Sequence, residues 1–269
     1  MRGCWPLLLA ALLAGCDTID LARAVRYEET QKHLPAIKHY ERFIGRHPEH
    51  PRAAEALVRA ADIYSRSLNR CLEARRHYEA ALRKSPSAEP WASRAKAGLL
   101  ACPDFFPMAA GWRWTYGDTA SLGRNMRLEL EVKSSSGAVS AEAASTLFAG
   151  VKNIRSEALS YAKKDWAVWE SGQGRHVPIL RFPFTTGHAW TAPVGEDVIE
   201  YRIESDSARV QTAAGAFEGC LKVKEFNPRY RGSWKYDYYA PFIGRVKTTV
   251  GGPGFENPNT ELIEYRTGR

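Results

Sequence analysis

The chain has 269 residues, 44% of them hydrophobic, and a formal net charge of +8, which allows two domains with cores of their own. The basic excess sits mainly in the first half: from Asp17 to Cys102 sixteen Lys and Arg face eleven Asp and Glu, and from Pro103 onward twenty-one face nineteen. Interleaved with acids in this way, the excess reads as a solvated helical face, so no nucleic-acid partner is expected. At the N-terminus, Arg2 precedes a short apolar stretch from Trp5 through Ala14. This is the pattern of a secretory leader, too short to span a bilayer comfortably as a helix.

Leu13-Ala14-Gly15-Cys16 ends that stretch. The tetrad resembles the lipobox of bacterial lipoproteins, in which small residues before a cysteine admit a dedicated peptidase and the thiol is then acylated. The resemblance implies loss of residues 1–15, lipidation of Cys16 and a membrane tether of acyl chains, each buried methylene adding about 0.8 kcal/mol of affinity. It also implies a protein that faces the periplasm. Asp17 follows the cysteine and resembles an inner-membrane retention signal of enteric bacteria. The outer membrane is the favoured location and the inner membrane the alternative.

Residues 16–102 carry an internal repeat. Ala36 to Pro48 aligns with Ala74 to Pro86 at an offset of 38. In each copy the apolar residues share one helix face, Ala36, Tyr40, Phe43 and Ile44 in the first and Ala74, Tyr78, Ala81 and Leu82 in the second. A proline ends each helix. A second amphipathic segment then begins, with Leu57, Ala60, Ala61 and Tyr64 matched by Ala95, Gly98, Leu99 and Cys102. Residues 20–101 thus resemble tetratricopeptide-type repeats, and Tyr40-Glu41 through Pro48-Glu49-His50-Pro51 resembles the version in periplasmic lipoproteins that assist outer-membrane β-barrel assembly. Leu21 to Thr30 is expected to supply a capping helix. The resemblance implies either a groove for an envelope protein partner, with Tyr40, Tyr64 and Tyr78 as its candidate binding residues, or a spacer between membrane and second domain.

Five of the seven histidines lie in this half, and His39 and His77 hold equivalent repeat positions, which points to packing or surface roles. No metal site is expected, because ligands must converge on one point. An extracytoplasmic compartment permits disulfides. If one helix begins near Cys71 and the next ends near Cys102, antiparallel packing brings the two to the same end of a hairpin, which makes them the candidate bridge. Cys220 is then a small core residue on a strand.

From Pro103 the spacing changes to alternation, which sets the second domain at residues 103–269. Trp112, Trp114 and Tyr116 point one way, as do Trp234, Tyr236 and Tyr238. Arg127 to Val132 also alternates. Further strands are expected over Asp165–Glu170, Val177–Phe182, Val198–Glu204, Arg209–Ala213, Gly219–Phe226, Gly244–Val250 and Thr260–Arg266, several of them separated by Gly172-Gln173-Gly174 and Gly251-Gly252-Pro253-Gly254. Many short strands without helices imply an antiparallel sheet, curved or closed. The expected fold class is α+β: N-terminal helical hairpin repeats and a C-terminal antiparallel sheet, curved or half-barrel.

Several segments of this half resemble a family of secreted β-domains found in bacterial lipoproteins: Phe105-Phe106-Pro107-Met108 with Gly111 to Tyr116, Gly215 to Val223, Tyr238-Tyr239-Ala240-Pro241 with Gly244-Arg245-Val246, and Thr260-Glu261-Leu262. The resemblance implies no catalytic residue. Two placements suit the tryptophans. They fill the sheet's core, or Trp112, Trp114, Trp166 and Trp234 line a cavity for a lipid ligand. Trp166 and Trp169, three apart, are expected on opposite faces of a strand. No Gly-x-Ser-x-Gly elbow, His-Glu-x-x-His helix or phosphate loop is present; Asp165, Glu170, Asp197 and His188 would have to converge in space to act together. No enzyme activity and no cofactor are expected. The sequence reads as a lipid-anchored envelope lipoprotein that binds or scaffolds protein, with a lipid or lipoprotein carrier as the alternative.

Overall fold

Helical spacing before Cys102 and alternation after Pro103 correspond to two compact units that divide the chain between those residues. The computed structural model describes residues 18–137, 139–172 and 174–268; the expected leader and Cys16 lie outside them.

The first unit holds α1 (Ile19–Glu29), α2 (His33–Arg46), α3 (Ala53–Asp62) continued by a π-helical turn (Ile63–Ser67), α4 (Cys71–Lys84) and α5 (Trp91–Ala101). Each helix packs on the next, and α3 also packs on α5. Its main cluster joins Leu21 and Ala24 of α1, Ile37, Tyr40 and Phe43 of α2, and Ala56 and Ala60 of α3. Helices α2 and α4 carry the two copies of the repeat. Among the described residues, five α-helices amount to a preceding helix and two hairpins, so a tetratricopeptide array is not shown. Small residues set the approach of α4 and α5: a Cβ at Gly98 would lie 2.2 Å from the Tyr78 ring. Gly98→Ala is therefore expected to overpack this contact and lower stability by about 1–3 kcal/mol, read as a lower urea midpoint with an unchanged slope.

Tyr40 and Tyr78 are not groove residues. Both are fully buried, the Tyr40 hydroxyl donates to Glu28, and the Tyr78 hydroxyl donates to Asp62 at 2.6 Å. A buried phenol needs an acceptor, and each finds a carboxylate of the same unit. Burial, with the adjoining carboxylate, pushes both phenols above their usual range. Tyr64 is half-buried; its hydroxyl donates to Glu41 at 2.9 Å and its ring packs on His77. His39 bonds to Asp20 at 2.8 Å, and His77 Nδ1 lies 3.0 Å from the Glu73 carbonyl, so both serve the helices. Cys71 and Cys102, at the start of α4 and just past α5, form a disulfide with their Cα atoms 5.1 Å apart.

The second unit is a run of strands: β1 (Arg113–Asp118), β2 (Met126–Ser136), β3 (Ser140–Ala149), β4 (Lys152–Lys164), β5 (Ala167–Gly172), β6 (Arg175–Arg181), β7 (Ala189–Val194), β8 (Asp197–Thr212), β9 (Gly215–Phe226), β10 (Trp234–Ala240), β11 (Gly244–Gly252) and β12 (Phe255–Arg266). They form one sheet in the order β6-β5-β4-β3-β2-β1-β12-β11-β10-β9-β8-β7, antiparallel from each strand to its neighbour, with β1 pairing with β12. Chain neighbours are therefore sheet neighbours except at the β6–β7 seam, where the Trp190 indole N–H donates to the Pro178 carbonyl at 2.8 Å. The result is a nearly closed antiparallel barrel.

The expected strands over 198–204 and 209–213 are one strand, β8, carried across register shifts between Ile203 and Val210. Strands β3, β4 and β7 were not expected. The expected strand at Asp165 starts two residues late, because Asp165 and Trp166 take φ of 51° and 63° in the β4–β5 turn, the backbone of a tight hairpin. Trp166 is thus a turn residue stacked on Phe182, and opposite faces of one strand do not describe it and Trp169.

Candidate functional site

Alternation along β10 places Trp234, Tyr236 and Tyr238 on one face and Lys235, Asp237 and Tyr239 on the other. The aromatic face is the outer one. Lys224 of β9 lies 3.8 Å above the Trp234 ring and Lys222 lies 4.1 Å above Tyr236, a ladder of cation–aromatic contacts across the β9–β10 pairing. The charged face points into the barrel, where a cavity of about 100 Å³ is bordered by Glu170, Arg175, Glu225, Lys235, Asp237 and Arg245 and by four tyrosines, 116, 161, 201 and 239.

Lys235 Nζ bridges Glu225 at 2.8 Å and Asp237 at 3.0 Å. The Asp237 carboxylate also accepts from Thr248 Oγ1 at 2.7 Å, and the Arg245 guanidinium lies 3.9 Å from it. Burial opposes ionisation of Asp237, but Lys235, Arg245 and the Thr248 bond hold its carboxyl below the usual carboxylate range. Burial likewise works against the cations, yet Asp237 keeps both Lys235 and Arg245 above their ordinary pKa. The cluster is thus a charged network at neutral pH. Glu170 accepts from the Tyr161 hydroxyl at 3.0 Å, and the Tyr116 hydroxyl donates to the Arg245 carbonyl at 3.0 Å. Desolvation pushes Tyr116 and Tyr201 up to about 12 and Tyr161 and Tyr239 well above their ordinary value.

None of the four tryptophans expected to line a lipid cavity borders this one. Trp112 and Trp114 are buried and stacked, centroids 5.2 Å apart, and the Trp114 indole donates to the Ile243 carbonyl at 2.6 Å; they are core. Trp166 sits in its turn and Trp234 on the outer face. The carboxylates and histidine that would have had to meet do not act together: Glu170 borders the cavity, Asp197 holds Asn227 and Arg229, and His188 packs on Trp190. Among the described residues, no group of three or more His, Cys, Asp or Glu is placed to hold a metal ion, and no helix is long and apolar enough to cross a membrane. Cys220 is a buried free thiol whose pKa burial raises to about 11.

No family model matches the chain, and no curated protein matches it. Three solved structures are similar to part of the chain. A protein described as exported and YmcC-like in fold from Bacteroides fragilis is 19% identical over 62% of this chain and 100% of its own, with a TM-score of 0.42. A protein described as a lipoprotein from Parabacteroides distasonis is 13% identical over 60% of this chain and 98% of its own, at 0.41. A hypothetical protein from Chlamydia trachomatis is 10% identical over 59% and 87%, at 0.26. These likenesses assign no function to this chain.

Proposed function

We propose that the chain is an exported lipoprotein of a bacterial envelope, tethered through acyl chains on Cys16, that works as a non-catalytic binding or scaffolding module for an envelope protein. The observation that supports export is the Cys71–Cys102 disulfide, a bond that persists in oxidising compartments, in a chain whose Leu13-Ala14-Gly15-Cys16 precedes it. In this reading the helical unit is a short, capped pair of tetratricopeptide-like hairpins. The outer membrane is the preferred anchorage, with Asp17 the reason to test the inner one. The barrel interior weighs against an acyl-chain carrier, since its cavity is bordered by paired charges and is far smaller than the roughly 300–1,000 Å³ of ordinary ligand pockets.

Cys16→Ala tests the tether. Wild-type protein is expected in the membrane fraction after a salt wash, with an N-terminal mass increased by acyl chains, while the variant is released. Wild-type protein of unmodified, uncleaved mass would contradict the proposal. Mild crosslinking in cells, followed by mass spectrometry, tests for the partner: a defined envelope protein supports scaffolding, and co-purified lipid without a protein supports the carrier.

A further inference from the structure

Paired strands of the barrel are antiparallel throughout, so its turns gather at two ends. One end is covered by the chain between Pro103 and Trp112: Asp104 accepts from Lys163 at 2.7 Å and from the Phe242 N–H at 2.6 Å, and Phe105 packs edge-on against Phe184. The far end gathers the β1–β2, β3–β4, β5–β6, β7–β8, β9–β10 and β11–β12 turns. Five of those six carry, in the turn or within two residues of it, a large apolar side chain exposed to solvent: Leu122, Val151, Val198, Tyr230 and Phe255. Val151 is 97% exposed. At the covered end, among the described residues, two turns do so, with Val139 and Phe242. Charge divides the same way. Between strands, the far-end turns hold Arg124, Arg229 and Arg231 against Glu196, whereas the covered-end turns hold Asp165 and no Lys or Arg. Arg229 bridges Asp197 at 3.1 Å; Arg124, Arg231 and, at the start of β4, Lys152 are exposed and have no ion-pair partner among the described residues. Each of these three lies within two residues of an exposed apolar side chain. Leu122 also holds φ at 53°, a left-handed backbone that favours glycine, asparagine or aspartate over leucine, so folding alone gives no reason for a leucine there.

We propose that the far end of the barrel is a docking surface for a bilayer leaflet with anionic headgroups, in which the five apolar side chains enter the interface and Arg124, Lys152 and Arg231 meet lipid phosphates. The distribution of the residues selects a lipid surface. The apolar groups stand singly on five separate turns with cations beside them, whereas a protein interface buries an apolar core from which charge is depleted. A bilayer interface accepts the mixture: aliphatic groups insert shallowly, Tyr sits at headgroup level, and Lys and Arg lay their stems on apolar surface while their charged heads stay in the polar layer. Anionic headgroups answer the cationic excess of these turns. The surface rests on the envelope location proposed above, which puts a leaflet at hand, and not on acylation of Cys16.

Co-sedimentation of residues 17–269, which carry neither leader nor acyl chain, with lipid vesicles tests this without involving the tether. Vesicles of phosphatidylcholine mixed with phosphatidylglycerol should bind the protein at least about tenfold more tightly than phosphatidylcholine alone, and added salt should weaken that binding. Leu122→Asn/Val151→Asn should weaken it about tenfold without lowering the melting temperature, since asparagine suits the left-handed backbone at 122 and Val151 already lies in solvent. Lys152→Glu/Arg231→Glu should remove the preference for phosphatidylglycerol, and Phe242→Asn at the covered end should leave binding unchanged. Absence of binding to either vesicle, full binding by Leu122→Asn/Val151→Asn, or an equal loss in Phe242→Asn would each overturn the proposal. So would a concentration-dependent dimer that Leu122→Asn/Val151→Asn abolishes, which would make the surface an interface between two copies. An unmodified Cys16 would overturn the tether and leave these vesicle results standing.

Discussion

Asp237→Ala is expected to destabilise the barrel by about 3–5 kcal/mol, the cost of removing one partner from a buried ion pair and leaving the other uncompensated. Asp237 is 6% exposed and holds Lys235, Thr248 and Arg245 together, so its loss removes the ion-pair partner of Arg245 and one of the two carboxylates that hold Lys235. Replacing Arg245 as well, in Asp237→Ala/Arg245→Met, should recover part of the loss, because the two changes act on one network and do not add. Urea unfolding followed by tryptophan fluorescence reads both, and equal midpoints for wild type and Asp237→Ala would show that the network contributes nothing. The same residue sets a pH dependence. Its carboxyl titrates lower in the folded chain than its ordinary value of 3.8, so the unfolded chain binds the proton first. The stabilisation it gives is therefore full above about pH 5 and declines as pH falls through the unfolded and then the folded value. Asp237→Ala should flatten the acid limb of the stability profile below about pH 4 and leave the neutral plateau level.

How far the sequence speaks differs between the two units. Helical spacing locates α2 through α5 because buried positions recur on one face, and the small residues at Ala60, Ala61 and Gly98 correctly foretell close helix approach. Tyr40 and Tyr78 are core and not groove for a general reason: a tyrosine on an apolar helix face is as readily a core residue whose hydroxyl has found a carboxylate, and spacing cannot tell that from a groove. In the barrel, alternation marks most strands but leaves open which face is inside. The stretch from Trp234 to Ala240 reads naturally with its aromatics inward, yet the interior receives Lys235, Asp237 and Tyr239 and the outer face keeps the rings over Lys222 and Lys224. Buried charges depend on partners distant in sequence, Glu225 and Arg245 for Asp237 and Lys235, and no local pattern announces them. One usable signal was present: Lys235 and Asp237 sit two apart and opposite in sign within a strand, as an inward-facing ion pair does. Strands β3 and β4, rich in Ala, Ser, Lys and Glu, have weak intrinsic strand preference and are held by pairing on both sides, a case of tertiary context overriding propensity.

The second large effect concerns the helical unit. Removing the Cys71–Cys102 bridge, as in Cys71→Ser/Cys102→Ser, is expected to cost about 3 kcal/mol, since a cross-link spanning 31 residues lowers the entropy of the unfolded chain. The loss should be specific to this unit. Its apolar cluster is small and alanine-rich, so little burial energy is in reserve, whereas the barrel's strands pair on both sides except at the β6 and β7 edges. Two unfolding transitions are therefore expected in the variant, the helical one moved to lower temperature and the barrel one unmoved. Reductant added to the wild-type protein should shift the same transition by the same amount and leave the double variant unaffected. If reductant moves the barrel transition instead, the bridge is not what holds α4 and α5 together. Because the single variant Cys71→Ser leaves Cys102 as a free thiol, comparing it with the double variant separates loss of the cross-link from new thiol chemistry. Equal midpoints would assign the whole effect to the cross-link.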